Sequence, residues 1–240
     1  MTLKLRSAAV TDRGLIRSGN QDSVHAGPWL IAVADGMGGM AAGDLASTIA
    51  IDAISALDVE TPEDSLVAAL QQAVEVATVR IRAAIEEDPE RQGMGTTLTA
   101  LLFARTGSCL ALVHIGDSRA YLLRDGMLKQ ITRDDTFVQM LVDEGVISPE
   151  EASSHPRRAV VTQALQGESV EPAYSTMVPR AGDRWLLCSD GLSNVVRPGT
   201  IAETLVSYPD RQQCAARLVD LALRAGGPDN ITVVVADVVD

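Results

Sequence analysis

"TTLTALLFARTGSCLALVHIGDSRAYLLRDGMLKQIT", residues 96–132, holds strand-like runs at 96–105, 109–115, 119–124 and 128–132 with only short turns between them. Links as short as "RTGS" and "RDG" leave no room for a crossover helix, so successive strands here are expected to run antiparallel. A doubly wound parallel sheet is thereby excluded. Working outward, further strands are expected at 3–10, 29–34 and 184–189, in the closing run "NITVVVADVV", and briefly just after Asp22.

Helical periodicity marks 44–57, 63–88, 199–207 and 210–225. In the second of these Leu66, Leu70, Ala73, Val74, Ala77, Ile81, Ala84 and Ile85 recur at helical spacing, with Glu75, Arg82 and Glu86 opposite, which predicts one buried face. Ala215, Leu218, Val219 and Ala222 form the stripe of the last. Residues 134–168 have another texture, with short helical pieces around "ISPEEA", a proline and few strand signals, and they read as an inserted flap. Antiparallel strands with helices segregated from them make an α+β layered domain, two sheets with helices outside. One domain over 1–240 is expected at this length.

The hydrophobic share of 46% suits a globular core, and aromatics at 3% mean that aliphatic side chains must fill it. A formal net charge of -12 repels phosphate backbones and anionic lipid, which argues against nucleic acid as a partner. Cys109, Cys188 and Cys214 are odd in number and widely spaced, so free thiols and a reducing, cytoplasmic compartment are expected. No signal peptide is read in "MTLKLRSAAV", and no apolar run approaches the ~18–20 residues of a membrane span. If the chain is a piece of a membrane protein, its anchor lies outside these residues.

The carboxylates carry the chemistry. Apolar runs lead into Asp35 in "AVADG", Asp117 in "VHIGDS" and Asp190 in "LLCSDG"; Asp229 in "GGPDN" leads into the last strand, and Asp22 in "RSGNQDS" precedes a short one. Each taken singly reads as a turn residue. Taken together, unpaired carboxylates at strand ends would cost several kcal/mol to bury, a cost that a divalent cation offsets. With no His or Cys cluster beside them, the cation is expected to be Mg or Mn rather than Zn. Gly36 lacks a Cβ, so its carbonyl could approach such an ion closely. Arg17, five residues before Asp22, is either a surface arginine or the planar fork that a phosphate needs.

The blocks "DRGLIRSGNQD", "VADGMGG", "AAGDLAS", "GMGTTLTALLF", "HIGDSRAYLLRDG", "HPRRAVVTQAL", "GDRWLLCSDGLS" and "GGPDNITVVVADV" cover nearly the whole chain in family order. In them the sequence resembles the metal-dependent PPM (protein phosphatase 2C) family of Ser/Thr phosphatases, most of all its bacterial receptor-type members. The resemblance implies a four-layer αββα sandwich of two antiparallel sheets flanked by helices. It implies hydrolysis of phosphoserine and phosphothreonine in proteins by direct attack of a metal-bridging hydroxide, with Mn or Mg as cofactor, two ions in the core centre and a third beside them. Phosphorylated proteins, Ser/Thr kinases and their substrates among them, would be the partners, met at the cytoplasmic face of the membrane.

Position by position, Asp35 matches the bridging ligand, and the Gly36 carbonyl, Asp190 and Asp229 match the rest of the two-metal centre. Asp22 matches the first-loop acid that acts beside it through metal-bound water, and Asp117 the acid that holds the third metal with Asp190. Arg17 matches the phosphate-binding arginine and Asn230 the neighbour of the last metal acid. Gln21 stands where relatives often have Glu. Met37 and Met40 occupy the positions where relatives place a proton-donating His, so a metal-bound water is expected to protonate the leaving group. In the flap Asp135, Ala159 and Gln163 replace a common His, Asn and Arg. His25 and His114 are expected at packing or edge positions, His155 in a structural flap role and Met94 as core filler. Two other readings stay open: an inactive phosphoprotein-binding module of the same fold, and an acidic domain whose Asp-Gly turns hold no metal. The presence of Asp35, Asp190 and Asp229 favours activity.

Overall fold

In the computed structural model, which describes residues 3–39 and 42–240, the strands form two antiparallel sheets. The first sheet runs, in spatial order, β1 (Lys4–Asp12), β11 (Ile231–Val239), β10 (Arg184–Cys188), β7 (Arg119–Arg124) and β8 (Met127–Gln130). The second runs β2 (Asp22–Ala26), β3 (Leu30–Met37), β5 (Leu98–Phe103), β6 (Leu110–Ile115) and β9 (Ala173–Met177), with the short β4 (Gly95–Thr96) paired to β3.

Alternation along each strand separates the layers. On β3, Leu30, Ala32 and Ala34 pack against α1 (Ala42–Ser55) and α2 (Leu66–Glu87), while Ile31 and Val33 turn inward to Trp185, Leu187, Val234 and Ala236 of the first sheet. The outer face of that sheet, with Leu186, Cys188, Val233 and Val235, is covered by α6 (Pro198–Ser207) and α7 (Arg211–Arg224). The stripes predicted on 63–88 and 210–225 face these cores, and the apolar interior is aliphatic apart from a few aromatics such as Trp185 and Phe103. Among the described residues no helix is long and apolar enough to cross a membrane.

One reading needs correction. The "RTGS" and "RDG" links do close antiparallel hairpins, β5 with β6 and β7 with β8. The "GDS" turn between β6 and β7 does not. There the chain leaves the second sheet and enters the first, because Gly116, at φ 101, turns it away and packs so closely on Thr97 that an added Cβ would stand 2.5 Å from that side chain. The place beside β6 is taken instead by β9, an edge strand whose mostly exposed residues carry no apolar alternation.

The flap spans α3 (Phe137–Asp143) and α4 (Pro149–Ser154). α4 starts on a capping box between Ser148 and Glu151, and the flap is tied back by backbone pairing of Thr136 with Val161 and of Thr96 with Leu165. Arg157 lies 3.8 Å over the Phe137 ring. A single α-helical turn, α5 (Asp190–Ser193), follows β10 directly.

Trp185 is fully buried between the sheets, and its indole Nε1 has no hydrogen-bond partner. Trp185→Ala should therefore destabilise the chain by about 3 kcal/mol, the low end of the range for large aromatic truncations, in urea unfolding. A loss below about 1 kcal/mol would show that the two sheets do not depend on this contact.

Candidate metal centre

Asp35 lies inside β3 and does not end it, contrary to the sequence reading. It pairs with Asp22 on β2, and beyond it Gly36 and Met37 pair with Thr96 and Gly95 of β4, a partner too short to announce itself in sequence. The Asp35 backbone is clamped on both sides: its N–H donates to Thr97 Oγ1 at 2.9 Å, and its carbonyl accepts from Thr97 N at 2.9 Å and Thr96 Oγ1 at 3.0 Å. Thr97 Oγ1 also bonds Ser118 Oγ at 2.8 Å, which links this strand to the Asp117 corner. A Cβ on Gly36 would stand 2.1 Å from the Gly43 carbonyl oxygen, so glycine is required here for the close approach of α1 as well as for any exposure of its own carbonyl.

The other acids arrive on separate elements. Asp22 begins β2, is buried, and accepts Ser189 Oγ at 2.7 Å. Asp117 is buried in the corner between the sheets, a corner held by Gly116 N donating to Asp135 Oδ2 at 2.9 Å. Asp190 opens α5 and accepts Asn194 Nδ2 at 2.9 Å. Asp229, just before β11, accepts Arg17 Nη2 at 2.7 Å. Asn230 fastens the loop that carries Arg17 by donating to the carbonyls of Arg13 (2.8 Å) and Gly19 (2.9 Å) and accepting Gln21 N at 2.8 Å.

Arg17, Gln21, Asp35, Gly36, Asp117, Asp190 and Asp229 line one cleft of about 440 Å³, with Met37 and Thr97. Ala159, Val160 and Val161 of the flap form its opposite wall. A larger depression of about 670 Å³ is lined by Asp125, Asp237 and Asp240, but there Asp237 is paired with Arg184 at 2.6 Å. Among the described residues no group of three or more His, Cys, Asp or Glu side chains is drawn together as a formed ion site; the acids surround the cleft, as mutual repulsion requires.

Their titration reflects that crowding. Burial, reinforced by the charges of Asp22, Asp190, Asp117 and Asp229, holds the Asp35 carboxyl well above the usual carboxylate range. Burial pushes Asp22 and Asp190 up to about 6 and Asp117 up to about 7, with neighbouring carboxylates adding to each. Buried acids elsewhere are neutralised: Asp134 by Arg119 at 2.6 Å and Asp183 by Arg124 at 2.6 Å. In the cleft the one arginine pairing is that of Arg17 with Asp229. Asp22 Oδ1 and Asp190 Oδ1 are buried with no partner in hydrogen-bonding geometry, although the Thr232 side chain beside Asp22 and the Asp35 carboxyl beside Asp190 partly counter the upward shifts. Unpartnered carboxylate oxygens in an all-oxygen donor set fit a hard divalent cation.

No histidine lines the cleft among the described residues. His25 pairs with Asp58 at 3.1 Å, His114 is buried between Thr99 (2.9 Å) and the Arg133 carbonyl (3.0 Å), and His155 lies in the flap, 6.1 Å from Phe137 ring to ring. Met94 is fully buried in the core, Gln163 lies away from the cleft, and Met40 lies outside the described residues. Thr97, Ser118, Ser189 and Asn194 were not singled out in sequence, since a lone small polar residue carries no spacing signal.

Residues 16–224 match the protein phosphatase 2C family. The chain is 59% identical, over all 240 residues, to the serine/threonine protein phosphatase PstP of Mycobacterium tuberculosis, and it spans 46% of that curated relative's length. The crystal structure of the Mycobacterium tuberculosis serine/threonine phosphatase PstP/Ppp superposes with a TM-score of 0.96 at 57% identity, covering 99% of this chain and 100% of that one. A structure of the catalytic domain of PstP in complex with 2 manganese ions gives a TM-score of 0.93 at 57% identity, with both chains fully covered.

Raised carboxyl pKa values make protonation favour folding. That contribution is complete below the unfolded value of about 4 and is lost as pH rises through about 6 to 7. Urea unfolding of chelator-treated protein between about pH 5 and 8 should show a fall in stability that is smaller in Asp190→Asn and is offset by saturating Mn²⁺. The same profile in both proteins would contradict the raised values.

Proposed function

Because the chain belongs to the protein phosphatase 2C family, we propose that it is a metal-dependent phosphatase domain that removes phosphate from phosphoserine and phosphothreonine in proteins. The observation that carries this reading is the gathering of Asp35, Asp117, Asp190 and Asp229 around one cleft beside Arg17, with Asp22 on the strand paired to Asp35 and bare buried oxygens on Asp22 and Asp190. Asp35, the Gly36 carbonyl, Asp190 and Asp229 would hold two Mn or Mg ions, with Asp22 beside them, and Asp117 with Asp190 a third. Bound there, such ions supply Lewis acidity, lowering the pKa of water and neutralising phosphoryl oxygens.

The chain's own groups do the rest. Arg17 stands at the rim, about half exposed; its Nη2 is held by Asp229, and the remaining N–H groups of its planar fork are left to take phosphate oxygens. Water is the nucleophile in this reading, because the one hydroxyl lining the cleft among the described residues, Thr97, is engaged with Asp35 N and Ser118. Met37, Ala159, Val160 and Val161 give the cleft apolar walls that restrict bulk water. Met37 has no proton to give, so the departing alkoxide takes its proton from water. Gln21 and Asn230 support the Arg17 loop.

Phosphorylated proteins are the partners this reading implies, Ser/Thr kinases and their substrates among them. The three free cysteines agree with a cytoplasmic setting, where a tether outside these residues would hold the domain at the membrane.

Hydrolysis of p-nitrophenyl phosphate and of a phosphothreonine peptide, with Mn²⁺, with Mg²⁺ and after chelation, tests the proposal. Turnover should require metal and fall at least about a hundredfold in Asp35→Asn. A folded protein that turns over neither substrate with any metal would favour the binding-module reading. Arg17→Ala should lower kcat/KM for both substrates by about tenfold to a hundredfold and weaken inhibition by inorganic phosphate. Unchanged phosphate inhibition would remove Arg17 from the phosphate site.

A further inference from the structure

The segment Ser189–Asn194 holds one acid of the cleft, Asp190, and the buried Asp22 behind it with two neutral donors. Ser189 Oγ donates to Asp22 Oδ2 at 2.7 Å, and Asn194 Nδ2 donates to Asp190 Oδ2 at 2.9 Å. The second oxygen of each acid, Asp22 Oδ1 and Asp190 Oδ1, is buried and has no partner. Both carboxylates are thus treated alike although they come from distant parts of the chain: one oxygen is held, the other left bare.

We propose that Ser189 and Asn194 are positioning residues for a divalent cation, each fixing the rotation of one carboxylate so that a single oxygen faces the ion. The inference rests on the metal-dependent reading above and extends it to residues that touch neither substrate nor ion.

The donor type matters. An arginine or lysine in either place would orient the carboxylate equally well but cancel its charge, as Arg119 does for Asp134 and Arg124 for Asp183. A hydroxyl and an amide orient without neutralising, so the full charge remains for the cation. Without a donor, each carboxylate would rotate among several positions, and binding would have to order it.

The local fold explains how one short segment reaches both acids. Ser189 sits where β10 ends, bonded to Thr232 in both directions, its N–H to the Thr232 carbonyl at 3.0 Å and its Oγ from Thr232 N at 2.9 Å. The hydroxyl proton is therefore left for Asp22. Asp190 to Ser193 then make the single turn of α5, which brings Asn194 back over Asp190, with Asn194 N also bonded to the Asp190 carbonyl at 2.8 Å. Asn194 is exposed and Ser189 fully buried, so the two can be removed with different structural consequences.

The test is Mn²⁺ binding to the full chain by titration calorimetry, with Mn²⁺ electron paramagnetic resonance as a second readout, for wild type, Ser189→Ala and Asn194→Ala. Metal-free melting temperatures serve as the structural control. Each variant should bind Mn²⁺ about tenfold to a hundredfold more weakly than wild type. At saturating Mn²⁺, KM for p-nitrophenyl phosphate should stay close to the wild-type value. Ser189→Ala also strips Thr232 N of an acceptor and should lower the metal-free melting temperature, whereas Asn194→Ala should not. Wild-type affinity in Asn194→Ala would overturn the proposal while leaving the phosphatase reading intact. A weakened affinity in a protein without phosphatase activity would support it and defeat that reading instead. A wild-type chain that takes up no Mn²⁺ would overturn both.

Discussion

Like charges held together out of water are the constraint on which this molecule is built. Four carboxylates line one cleft and a fifth, Asp22, is buried on the strand beside Asp35; burial together with mutual repulsion raises the carboxyl pKa values of Asp22, Asp35, Asp117 and Asp190. A chain free to relax would spread them apart. What prevents it is the sandwich: Asp35 belongs to a strand paired on both edges, Asp117 to the corner between the sheets, and Asp190 and Asp229 to the approaches of two neighbouring strands. The aliphatic core between the sheets provides the favourable burial that offsets the repulsion.

Elsewhere the protein treats its buried acids differently. Asp134 and Asp183 are met by arginines in two-pronged geometry, and Arg184 meets half-buried Asp237 while also satisfying the carbonyls of Leu205, Tyr208 and Pro209 behind α6. Those pairs are closed. Around the cleft, Ser189 and Asn194 hold a carboxylate oxygen without neutralising it, Thr97 holds only the Asp35 backbone, and Arg17, exposed at the rim, is the charged exception. Neutralised acids in the scaffold contrast with the bare ones around the cleft, and it is the bare ones that the proposed chemistry uses.

Much of the architecture is legible from local pattern. The helical stripe from Leu66 to Ala84 and the hairpins at "RTGS" and "RDG" are written in a few consecutive residues, because periodicity and turn length act locally. Where the reading went astray, the deciding contact was distant in sequence. The "GDS" turn resembles a hairpin link until Gly116 meets Thr97, Asp35 looks like the end of a strand until β4 arrives, and β9 is a strand only because β6 has a free edge.

The sequence by itself determined the class of the domain, its membership in a family and the acids proposed to carry its chemistry, since composition, periodicity and ordered motifs are properties of the string. Tertiary structure decided which oxygens of those acids are bare. Asp22 and Ser189 are 167 residues apart, and Arg17 and Asp229 are 212 apart. No local pattern encodes such pairings, because they exist only once two sheets have packed face to face and brought the ends of their strands to one cleft.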